Sequence, residues 1–67
     1  MTKIELYVYN LDGKLINKQS YTDVYDAVKD ADITNAAGKY IADVIINGAP
    51  LSDIEHVRKE QLRRAGL

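Results

Sequence analysis

From Lys3 to Tyr9 the chain sets apolar Ile4, Leu6 and Val8 against Glu5, Tyr7 and Tyr9 at every second position, the period of a strand with one buried and one open face. The next segment, Asn10-Leu11-Asp12-Gly13-Lys14, turns the chain, because Gly13 can take the left-handed conformation that a type I turn with a bulge requires. The return strand, Leu15 to Ser20, would place Ile16 opposite Val8. A β-hairpin over residues 3–20 therefore anchors every further expectation. Two strands alone are marginal, so the rest of the chain, or a second copy of it, has to cover them.

Beyond the hairpin the chain reads as helical. Ser20 and Asp23 have the spacing of a capping box, and Val24, Ala27, Val28 and Ala31 form a narrow apolar stripe, predicting a helix over about 22–31. Ile33, Ala36, Ala37, Tyr40, Ile41, Val44 and Ile45 also recur at helical spacing, and Asn47-Gly48 supplies a stop, predicting a second helix over 33–46. The same stretch is rich in strand-forming residues, so a strand over 40–46 is the alternative. After Pro50, Ser52 with Glu55 and the positions Leu51, Ile54, Val57, Leu62 and Ala65 predict a third helix over about 52–65. The expected fold is a single α+β domain of order ββααα, with ββαβα as the alternative.

A chain of 67 residues buries only about 60% of its unfolded surface, which leaves little room for an enclosed substrate pocket and moves function to an outer face. There is no cysteine, so no disulfide, thiolate metal site or thiol nucleophile, and a reducing cytoplasm is the expected compartment. No basic segment leads into a long apolar run, which predicts neither a leader nor a membrane span. His56, the single histidine, has no evident partners for a triad or a metal, and it is expected to pack back on Leu51. Asn10, Asp12 and Gly13 suit a turn and lack the later ligands of a calcium loop, and the four glycines are too scattered for a phosphate loop. The expectation is a non-catalytic protein without metal or cofactor.

Charge, by contrast, is patterned. The net value is −1, yet Asp23, Asp26, Asp30, Asp32, Asp43, Asp53 and Glu55 face only Lys29 and Lys39 in the middle of the chain, while Arg58, Lys59, Arg63 and Arg64 make the last helix basic. Such a bipolar molecule orients itself on a charged partner. Tyr7 and Tyr9, on the strand face that Ile4, Leu6 and Val8 do not use, are interface candidates with Lys14 and Lys18 beside them; Tyr25 and Tyr40 are assigned to the core. Ile46, Leu51 and Leu67 could line a homodimer seam.

The run Leu6 to Ile16, then Ser20 and Ala27, then Ile33, Ile41 and Asn47-Gly48, resembles the modular DNA-binding domains appended to homing endonucleases. That resemblance implies a hairpin with a helix-turn-helix after it, residues 34–46 being the helix that faces the major groove. It also implies the neighbourhood of phage and mobile-element accessory proteins. Two functions are expected on these grounds. The first is a regulator or inhibitor of a nucleic-acid-processing protein assembly, an anti-CRISPR role being one concrete form, with Tyr7, Tyr9, Asp23, Asp26, Asp30 and Asp32 at the interface and the aspartates filling a groove meant for nucleic acid. The second is a small DNA-binding regulator reading bases with Asn35 and Lys39 and holding phosphate with Arg58, Lys59, Arg63 and Arg64.

Overall fold

The alternating first segment becomes an inner strand of a four-stranded antiparallel sheet. A computed structural model describes residues 2–64 and shows β1 (Ile4–Tyr9), β2 (Leu15–Tyr21), α1 (Val24–Ala36), β3 (Ile41–Ile46), β4 (Ala49–Pro50) and α2 (Ile54–Arg64). The strands lie in the order β2-β1-β3-β4. This corrects the expected ββααα order. There is no helix over 33–46, and the alternative ββαβα lacks β4.

Two local features overrule the helical spacing. Gly38 sits at φ +75°, a left-handed position that ends α1 just after Ala36. Asn47 and Gly48 are also both at positive φ, 51° and 85°, so this pair is the two-residue turn of a β3–β4 hairpin rather than a helix stop. The β-branched run between those breaks pairs along its length with β1, from Ile4 opposite Ile46 to Tyr9 opposite Ile41. Ala36 thus ends the first helix rather than joining a second.

The first hairpin forms, with its register one residue from the expected one. Gly13, at φ +86°, closes the turn, and Asn10 Oδ1 accepts hydrogen bonds from the backbone N–H groups of Asp12 and Lys14 at 3.0 and 2.9 Å. Tyr9 pairs with Leu15 and Val8 with Asn17, leaving Ile16 as an extra residue in a bulge. Asp23, not Ser20, caps α1, its carboxylate accepting from Tyr25 N–H at 2.8 Å.

One face of the sheet carries the core. Leu6 and Val8 of β1 and Ala42 and Val44 of β3 pack against Ala27, Val28 and Ala31 of α1 and Val57 of α2, with Leu6 and Val28 the largest fully buried side chains. Small residues on α1 let the helix lie close to the sheet. The helices are joined by Arg58, which donates to both carboxylate oxygens of Asp32, and by the Gln61 amide, which donates to Tyr25 O at 2.6 Å. Ile45 is buried too, but on the opposite face, where its cross-strand neighbours are Glu5 and Pro50. Among the described residues no helix is long and apolar enough to cross a membrane.

Candidate functional site

The two edges of the sheet are treated differently, and this asymmetry defines the site. On the β3 side, the outward backbone groups of Ala42 are both taken by the Asn35 side chain, which accepts from Ala42 N at 2.8 Å and donates to Ala42 O at 3.2 Å. Leu51 N–H donates to Val44 O at 2.9 Å, and the two-residue β4, which contains Pro50, completes the closure. On the other side β2 is a seven-residue edge strand, exposed at every position except Tyr21, which is half-buried.

Antiparallel alternation then fixes which β2 groups are free. Because Ala42 and Val44 point away from β1, Ile41, Asp43 and Ile45 bond to Tyr9, Tyr7 and Glu5; Ile4, Leu6 and Val8 must bond to β2. Their partners are Tyr21, Gln19 and Asn17, so the backbone N–H and C=O of Lys18 and Ser20 face outward. Among the described residues nothing hydrogen-bonds to them.

Helix α1 lies mainly over β3 and β1 and meets β2 at Tyr21, through Asp30. Between α1 and β2 runs an open groove of about 380 Å³ with Leu6 and Val8 in its floor, Ile16 on the strand wall, and Ile33 and Tyr40 at the helix end. Ile16, Ile33 and Tyr40 are 48%, 60% and 42% exposed, a cluster of apolar surface without a protein partner among the described residues. Tyr40 therefore lines this groove, not the core expected for it together with Tyr25. Tyr25 does pack on the core, with the Arg64 guanidinium 3.9 Å above its ring.

The expected acidic interface divides in two. Asp23 serves as the helix cap and Asp32 holds Arg58, at 2.7 Å for the shorter contact, so both are committed inside the fold. Asp26 and Asp30, one helical turn apart, are exposed on the flank of α1 that looks toward β2. Asp30 accepts a 2.6 Å hydrogen bond from the Tyr21 hydroxyl. Burial, that hydrogen bond and the charges of Asp30 and Asp26 together push the Tyr21 hydroxyl up to about 12 from its ordinary 10.0.

The residues expected on DNA are dispersed or occupied. Asn35 clamps β3, and Lys39 lies in the loop before β3, so no helix presents them together. Arg58 bridges Asp32 and Glu55, whose hydrogen bonds raise its pKa further, Arg63 pairs with Glu60 at 2.8 Å, and Arg64 covers Tyr25. Lys59 remains exposed. Tyr7 and Tyr9 lie on the face of the sheet away from the helices, as their alternation predicts; Lys18 Nζ is 4.9 Å from the Tyr7 ring, and Tyr9 sits between Leu15 and Ile41. Of the residues suggested for a dimer seam, Ile46 and Leu51 pack against the core and Leu67 lies outside the described residues. His56 is exposed.

Sequence reasoning missed the β2 edge and the groove. The signal was present in the hairpin itself: β2 has a single lysine and no proline, the residues that protect an edge. Comparison of the chain with family models, with characterised proteins and with solved structures gave no match.

Proposed function

We propose that this protein is a non-catalytic binding module that regulates or inhibits a larger protein of a nucleic-acid-processing assembly, of the kind carried by phages and mobile elements, by occupying a basic surface on it. One observation carries the reading: Asp26 and Asp30, the latter accepting from Tyr21, are exposed on one flank of α1 beside exposed apolar surface, whereas Arg58 is held by Asp32 and Glu55 and Arg64 lies over the Tyr25 ring. An acidic flank beside apolar surface suits a cationic protein partner better than a phosphate backbone. Residues 34–46 do not form the helix expected to face a major groove, since they belong to the end of α1, a loop and β3.

Affinity capture from host lysate, with and without nuclease, tests this directly. The same protein should be retained in both conditions and lost when Asp26→Lys and Asp30→Lys are combined. Retention that disappears with nuclease, or that survives the charge reversal, would remove the proposal.

A further inference from the structure

We infer that β2 takes up an extended segment of the partner as a fifth strand, with alternate side chains of that segment, apolar and basic, entering the groove beside α1. This rests on the protein-binding reading and names how the contact is made.

Strand addition needs a long edge with unpaired backbone groups, and β2 has one in the outward-facing N–H and C=O of Lys18 and Ser20. Apart from Lys18, protective devices are missing along its centre. The bulge lies at Ile16, near one end, and Lys18 leans over the Tyr7 ring instead of guarding the edge. An arriving strand would continue the pleat, so residues flanking Asn17 and Gln19 would point to the helix side of the sheet. There they meet Ile16, Ile33 and Tyr40 at one end and Asp30 along the α1 wall. Apolar side chains fit the first surface and lysine or arginine the second.

Charge decides against a second copy as the occupant. Joining two β2 edges about a two-fold axis would set both α1 helices on one face of a continuous sheet, with Asp26 and Asp30 of each copy looking toward those of the other. Like charges across a seam oppose pairing, whereas a cationic segment is drawn to the same site.

A library of random nine-residue peptides selected against the purified chain provides the probe. Selected peptides should carry apolar and Lys or Arg residues at every second position and should shift the backbone amide resonances of Lys18 and Ser20. Lys18→Pro removes an outward N–H without touching the β1–β2 hydrogen bonds, so it should keep the fold and weaken those peptides at least tenfold. Methylating alternate backbone nitrogens of a selected peptide should do the same on the unaltered protein. Failure to select any peptide, selection of peptides with helical spacing, or binding indifferent to both blocks would overturn the inference; so would a wild-type dimer that Lys18→Pro dissolves. A captured partner still held by Lys18→Pro but lost from the Asp26→Lys, Asp30→Lys protein would sink strand addition alone. One held by both proteins would sink the proposed contact of the acidic α1 flank with a basic surface as well.

Discussion

Replacing Asn35 with Ala separates a structural role from a nucleic-acid-reading one. The Asn35 amide satisfies both backbone groups of Ala42, a residue only 6% exposed, where β4 is too short to do so. Losing a partner from a buried backbone group costs about 1–3 kcal/mol, and because Asn35 itself is exposed, water can reach part of the gap, placing the expected loss at about 1–2 kcal/mol. A domain of this length has about 3–10 kcal/mol in total, so the loss is a large fraction. With a urea slope of about 1 kcal/mol per molar, the unfolding midpoint should fall by about 1–2 M. Asn35→Asp can still accept from Ala42 N–H but sets a carboxylate oxygen against Ala42 O at the C-terminal end of α1, and should also be less stable than wild type. Urea titration monitored by circular dichroism reads all three proteins. An Asn35→Ala midpoint equal to wild type would refute the clamp, and an Asn35→Asp midpoint equal to wild type would refute the donation to Ala42 O.

Other perturbations probe other links. The folded value of Tyr21 is raised above its ordinary one, so its contribution to stability is complete below about pH 10 and fades as pH climbs toward about 12; Tyr21→Phe should be less stable at neutral pH and should lose that part of the alkaline decline, and an unchanged pH profile would contradict the Asp30 contact. Leu6→Ala, at the centre of the sheet, should cost about 2–5 kcal/mol in denaturant unfolding, and a loss below about 1 kcal/mol would mean the core is not organised around it. Gly13→Ala should cost about 1–2 kcal/mol from backbone conformation alone, since a Cβ there meets no atom within 4 Å. A Gly13→Asn protein should recover part of that loss in thermal melts, because asparagine tolerates the left-handed region better.

The first hairpin and the apolar stripe of α1 were legible because each keeps to one period and carries its own turn or capping residue. The segment 41–46 was not. β3 buries Ala42 and Val44 on the helix side and Ile45 on the other face, so its apolar residues do not alternate cleanly, and they fall into helical spacing with Ile33 and Ala36 by coincidence. Asn47-Gly48 fits two structures equally well in sequence, a helix end and a tight hairpin turn; pairing with a strand forty residues upstream is what selects the second. The site was half legible for a similar reason. Composition marked the acidic α1 and the basic α2, but the contact between Asp32 and Arg58 spans 26 positions and removes a charge from each candidate surface. The groove depends on how α1 lies over the sheet, a property of packing that no local pattern encodes.

Hydrogen exchange on the captured complex, compared with the protein alone, addresses the central claim most directly, because it reports which backbone the partner covers. New protection is expected at the outward amides of Lys18 and Ser20 and along the α1 flank from Asp26 to Thr34. Protection confined to Lys59–Arg64, or to the Tyr7 and Tyr9 face, would contradict strand addition at β2.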